Sequence, residues 1–310
     1  MKKLILTLLI TLLITPTCFA SDNYVAYADK VSAKKEKQQA QINEKDIRNT
    51  FKTILAYTND GNLDGLKSYY SPNFVNNDGF NFKMYFDLVR KTWKLYPDIK
   101  YEINIDNISI FGNTAIVTAS ETAIATTSEK IEDTEIKGYL KSKSDTIYYL
   151  EKIGEKWVIT SDSTICEETK LTYGEANEIK MELVVPQLVP ANKEYTASLK
   201  VIPSDKKMLL IGSIGQEKIT YPHVNASEVY RKFPESGILE RLFNANNENL
   251  NEYVVGSVGI TRAKVTKDKN IKLVVTGLGY IITRTNVIST KDFSKVKENG
   301  TKKTTAKLLD

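Results

Sequence analysis

Apolar residues recur every three or four positions through the first third of the chain, and every second position through most of the rest. Ile47, Phe51, Ile54 and Leu55 form one helical stripe that starts after Asn43, a residue suited to an N-cap, with Glu44 and Asp46 in the first turn. Asn59-Asp60-Gly61 stops this helix. A short helix follows with Leu63, Leu66 and Tyr70 on one side, and the turn signal Asn76-Asn77-Asp78-Gly79 comes after it. A third helix carries Phe82, Tyr85, Phe86, Val89 and Trp93, and the residues around Pro97 end it.

The period then changes to two. Tyr101, Ile103 and Ile105 alternate in step, Asn107 breaks the step, and Ile108 and Ile110 resume it, which predicts a bulge. Phe111-Gly112-Asn113 and Gly154-Glu155 read as hairpin turns. Between them, Ala115, Val117, Ala119 and Glu121 share one strand face, and residues 139–153 make a long strand. Helices first and long hairpins after predict an α+β unit, with helices on one face of a curved antiparallel sheet. From Ile179 the segments 179–185, 194–202, 207–214 and 217–221 are short strand patterns, punctuated by Pro186, Pro190, Pro203, Gly212, Gly215 and Pro222. That spacing predicts a β-sandwich. Ile238, Leu239, Leu242 and Phe243 fit helical spacing, so one or two short helices are expected there. A long hairpin turns around Asp268-Lys269-Asn270.

The first unit resembles the nuclear transport factor 2-like superfamily, which includes polyketide-cyclase-like proteins. Three features carry the resemblance. One is the short helix Asp60-Gly61-Asn62-Leu63-Asp64-Gly65-Leu66 with its exit Tyr69-Tyr70-Ser71-Pro72-Asn73-Phe74. Another is the aromatic third helix. The last is the final hairpin, Tyr148-Tyr149-Leu150-Glu151-Lys152-Ile153-Gly154-Glu155-Lys156-Trp157-Val158-Ile159. The resemblance covers about 120 residues, roughly 43–170. It implies a cone with a pocket between sheet and helices, and homodimerisation through the sheet. It fixes no function, since the superfamily holds both enzymes and binding domains. The later part resembles immunoglobulin-like bacterial envelope modules in architecture only.

Composition adds the compartment. The first 20 residues read as a secretory signal: Lys2 and Lys3, an apolar run of about eleven residues, Pro16, then Cys18-Phe19-Ala20 before the cleavage point. The expected organisation is a signal peptide (1–20), a spacer helix or disordered lead (21–42), the cone domain (43–170), a linker (171–178), a mostly β sandwich-like domain with a short helical insertion (179–289) and a disordered basic tail (290–310). The expected location is the periplasm or the exterior. Thr15-Pro16-Thr17 does not suit lipidation at Cys18, and no later apolar run is long enough for a membrane anchor. Cleavage lowers the formal net charge from +5 to +3, too little to point to nucleic acid. It also leaves Cys166 as the one thiol, read as a buried, inert residue at a strand end or as a site of pairing between chains.

The chemistry is bounded mainly by exclusion. His223 is the one histidine, and no nucleophile-elbow, Walker or dinucleotide loop is present, so no cofactor and no metal are expected. Asp87 and Glu121 are the two candidate catalytic carboxylates, if both face the cone. Asp87 equally suits a solvated helix face, and Glu121 a sheet end or a lysine pair. Tyr57, Tyr69, Tyr85, Trp93 and Tyr148 fall where helices and sheet should meet and are candidate ligand-binding residues, although core packing accounts for such aromatics equally well. Arg262 and Arg284 suit either a hold on a carboxylate or phosphate, or a solvated strand edge. The leading expectation is an exported, non-enzymatic protein of the bacterial envelope that binds a partner chain or a small apolar ligand. The alternative is a cofactor-free cyclase-like or isomerase-type enzyme that uses a pocket carboxylate.

Overall fold

The computed structural model describes residues 22–130, 135–203, 208–223, 229–265 and 269–293. The signal segment, most of the basic tail and Asp268 lie outside the described residues. Helix α1 (Asp22–Asn59) runs unbroken through Asn43. Asn43 is therefore not a cap, and its side-chain oxygen accepts a bond from Gln39 one turn earlier (3.2 Å). Residues 1–45 and 46–310 are separate units by contact, and everything described below belongs to the second.

Within it, α1 delivers Ile47, Phe51 and Ile54 to the core. Asn62 caps α2 (Leu63–Lys67) by accepting the Gly65 N–H, and Asn81 caps α3 (Phe82–Leu95) by accepting that of Met84. Each cap satisfies a backbone donor that a helix start leaves open. Four long antiparallel strands follow: β1 (Lys100–Phe111), β2 (Thr114–Lys130), β3 (Lys137–Ile153) and β4 (Lys156–Gly174). The register of β1 on β2 shifts between Ile105 and Asn107, where the broken alternation predicts it. The three helices pack on one face of these strands around Val117, Ala119, Leu150, Trp157 and Ile159.

A 3-10 turn (Glu175–Glu178) leads on to β5 (Lys180–Val184), β6 (Leu188–Pro190), β7 (Glu194–Ile202), β8 (Leu209–Lys218), β9 (Arg231–Lys232), β10 (Ile238–Asn244), β11 (Glu252–Val265) and β12 (Ile271–Ile288). β5, β7 and β10 form a three-stranded sheet. The remaining strands extend the first sheet in the order β1-β2-β3-β4-β12-β11-β8-β9, with β6 parallel to β12. One sheet thus continues across residues 171–178, because β4 pairs with β12 from Glu168 to Gly174. The core changes even though the sheet does not. Beyond β4, Leu199, Leu239 and Phe243 of the small sheet pack on Ile214, Val258, Ile260 and Ile281 of the large one. This is the sandwich half of an α+β fold.

The helices expected near residue 240 are absent. Ile238–Asn244 is strand β10, paired with β7 in register from Ile238↔Lys200 to Asn244↔Glu194. Leu239 and Phe243 are buried, whereas Leu242 is 60% exposed. Four apolar residues at 238, 239, 242 and 243 satisfy either period, and pairing with β7 decides between them. Tertiary context also decides the fate of Arg284, which is no solvated edge. It is 1% exposed.

Candidate functional site

The inward face of the helical half is aromatic. Tyr70 packs on Phe74, Tyr85 and Phe86 with ring centroids 5.1–5.4 Å apart, and Phe51 meets the edge of Tyr148 at 5.1 Å. The Tyr70 and Tyr85 hydroxyls are within hydrogen-bond reach of each other at 3.3 Å. Between these rings and β1–β3 lies a void of about 130 Å³, whose walls include Phe51, Tyr85, Trp93, Tyr148 and Glu121. A larger cavity of about 650 Å³ continues past Glu121 and Tyr101, which line both spaces. Its apolar walls are Leu88 and Leu95 of α3, Ala123 of β2, Leu140 of β3 and Ile282 of β12. Its polar lining includes Glu121, Ser142, Ser144, Glu167, Glu217, His223 and Tyr253.

Each carboxylate has a partner. The Tyr148 hydroxyl donates to Glu121. The Tyr253 hydroxyl donates to Glu167 at 2.9 Å, and His223 Nε2 stands 2.8 Å from Glu217. Burial raises the Glu121 carboxyl above the usual range, the Tyr148 bond opposes this, and the Glu167 charge adds to it. Glu167 is raised for the same first reason, against the Tyr253 bond and the Arg284 charge. Burial pushes the Tyr101 phenol up to about 12.

Two more groups complete the electrostatics. Asp162 of β4 is 6% exposed and faces inward opposite Tyr148. No side-chain hydrogen bond is found for it among the described residues. Burial, reinforced by Glu121 and Asp78, pushes its carboxyl up to about 7. Arg284 on β12 grips Asp78 in the turn before α3 through both terminal nitrogens, at 2.6 and 3.0 Å. Asn251 also donates to Asp78 at 2.8 Å. This bidentate pair joins the helical half to the sandwich half.

Of the residues singled out from sequence, the fold brings Tyr85, Trp93, Tyr148 and Glu121 to one void. Tyr57 and Tyr69 pack on each other at 6.1 Å outside it, with Lys156 3.6 Å over the Tyr69 ring. Asp87 lines neither space. It bonds the Tyr221 hydroxyl, Lys91 at 3.0 Å and Arg90 at 3.1 Å, and these partners hold its carboxyl below the usual range, Tyr221 first. Arg262 is bound to Glu175 at 2.8 Å. Asp162, Glu167, Glu217 and Tyr253 escape sequence reading. Among the described residues no cluster of His, Cys, Asp and Glu is arranged to hold a metal, and no described helix is long and apolar enough to cross a membrane.

No family model matches the chain, and no curated protein does. Solved structures do. Bd1075 of Bdellovibrio bacteriovorus is 12% identical with a TM-score of 0.34, and the match covers 41% of this chain and 42% of that one. A scytalone dehydratase-like protein of Novosphingobium aromaticivorans is 12% identical with a TM-score of 0.35, over 41% of this chain and 86% of its own. A hexachlorocyclohexane dehydrochlorinase, LinA type 3, of Novosphingobium barchaimii is 10% identical with a TM-score of 0.35, over 41% and 88%. The last two have the nuclear transport factor 2-like fold. At these scores the likenesses carry neither a family nor an activity for this chain.

Proposed function

We propose that this protein is an exported, non-enzymatic binding protein that holds a small molecule with an apolar body in the cavity between α3 and the sheet. The observation that carries the reading is the cavity itself: about 650 Å³, within the range of small-molecule sites, with apolar walls and a few fixed polar groups. Those polar groups are anchored from different elements. Tyr148 on β3 holds Glu121 on β2, and Tyr253 on β11 holds Glu167 on β4. Such cross-strand ties suit recognition, because a group already fixed loses little freedom when a ligand arrives.

A second reading is a cofactor-free enzyme, favoured by one observation: Glu121, with its raised carboxyl, stands where the two spaces meet. A sheet-mediated homodimer belongs to the proposal too, supported by Ile116, Ile124, Tyr139 and Tyr149 on the outer face of β2 and β3. Native mass spectrometry of the purified chain tests all three. The expected result is a retained ligand of a few hundred daltons on a dimer. If the chain retains nothing and takes up no apolar fluorescent probe, the binding reading is wrong. A retained compound that leaves chemically changed after incubation would replace it with the enzyme reading. A monomer at every concentration removes the dimer.

A further inference from the structure

We infer that the ligand of the large cavity is a cation, with an apolar body ending in a protonated amine. This rests on the binding reading above and adds the charge of what is bound. Three carboxylates from three strands line the cavity: Glu121 from β2, Glu167 from β4 and Glu217 from β8. No Lys or Arg is among the described lining residues. The nearby Arg284 has both terminal nitrogens on Asp78. His223 is the one lining group able to carry positive charge, and it is 41% exposed and turned to Glu217. Glu121 and Glu167 thus face the apolar space with phenols as partners, and a phenol neutralises no charge.

A further acid lies close to these glutamates without lining either space. Asp162, nine-tenths buried, lies across the β3–β4 pair from Tyr148 on the inward face, with no side-chain hydrogen bond among the described residues. Its carboxyl keeps its proton up to about pH 7, so the negative field in the cavity is that of the lining glutamates. A low-dielectric cavity focuses such a field. A buried carboxylate is costly unless paired with opposite charge, and an ammonium ion supplies three donors and that charge together. An anionic ligand would meet three carboxylates, and a neutral one would bring Glu121 no opposite charge. The apolar walls at Leu88, Leu95, Ala123, Leu140 and Ile282 would take the body.

Binding a cation should lower the raised carboxyls of Glu121 and Glu167, because a nearby opposite charge favours the ionised form. The groups that face Glu121 and set this response are Tyr101 of β1, Ser144 and Tyr148 of β3, and Asp162 and Glu167 of β4. Those that face Glu167 are Thr169, Tyr253, Arg284 and Asp78.

The test uses the full chain and three ten-carbon probes: decylamine, decanol and decanoate. Calorimetry at pH 7 should give an affinity for decylamine at least about tenfold above that for decanol, as one charge-assisted bond supplies. Decanoate should bind more weakly than either. Titration in two buffers of different ionisation heat, repeated from about pH 5 to about pH 7, should show more proton release with decylamine than with decanol. The double variant Glu121→Gln, Glu167→Gln should bring the amine-to-alcohol ratio below about threefold, with its melting curve confirming a folded state. If decanol or decanoate matches decylamine in the wild-type chain, the charge inference is overturned while the binding reading stands. If none of the three binds, both are overturned. If decylamine is preferred but releases no protons, and the double variant keeps the preference, the amine sits elsewhere and the inference is overturned.

Discussion

Asp162→Asn should make this protein more stable at neutral pH. The folded chain holds the Asp162 proton to about pH 7, against an ordinary value of 3.8. Between those values the folded state binds more protons than the unfolded one, so stability falls as pH rises. Three pH units at 1.36 kcal/mol each give a penalty of about 4 kcal/mol by pH 8, and about 1 kcal/mol at pH 4.5. Asparagine has nearly the same shape and cannot ionise. Glu121 and Glu167 remain in both chains, so the informative quantity is the difference between variant and wild type. Urea unfolding at half-unit steps should show the variant's advantage growing by about 3 kcal/mol from pH 4.5 to pH 8. A constant difference, or a variant less stable at pH 8, would refute the claim that Asp162 is an uncompensated buried carboxyl.

Three further outcomes are expected. Arg284→Met should cost about 3–5 kcal/mol in urea unfolding, because it strands Asp78 at 9% exposure, and adding Asp78→Leu should recover part of that loss. Cys166 donates to Asp145 at 2.9 Å, and burial pushes its thiol up to about 11. Only the thiolate reacts, so an aromatic disulfide reagent at pH 8 should modify the folded chain about a hundredfold more slowly than the urea-unfolded chain. Equal rates would contradict that environment. Gly174→Ala should lower stability by at least about 2 kcal/mol, since Gly174 has φ +54° and an added Cβ would lie 2.3 Å from the Thr276 carbonyl oxygen. A neutral result there would mean the strand junction can shift.

The helical half was legible because its signals are local. Asn59-Asp60-Gly61 ends α1 where expected and the break at Asn107 shows in the alternation itself, whereas the cap expected at Asn43 lies mid-helix and the true caps, Asn62 and Asn81, went unread. The rest of what escaped was non-local. β4 carries two register shifts, one opposite Tyr149/Leu150 and one opposite Asp145/Thr146. The first moves the inward face from Ile159 to Asp162. The second moves it from Thr164 to Glu167, opposite Ser144, and leaves Ile165 45% exposed. A strict period of two carried on from Trp157 therefore turns Asp162 outward and Ile165 inward, and it places Glu167 inward only because the two slips cancel. Only the partner strand reveals the bulges. Arg284 shows the same limit, since nothing near it in the chain announces Asp78, two hundred residues earlier. A search for inward carboxylates that allowed one slip in the strand would have found Asp162, and a second slip is needed to hold Asp162 and Glu167 on the same face.

The join between β4 and β12 sets an order of events during synthesis. Glu168 pairs with Thr283, more than a hundred residues later. At ordinary elongation rates of about 5–20 residues per second, the helices and β1–β4 exist for roughly 5–25 s before β12 can be made. Through that interval the last seven residues of β4 present open backbone donors and acceptors, a template for wrong pairing. Truncated chains that end before β12 should accordingly self-associate through β4, even where the helical half has already folded.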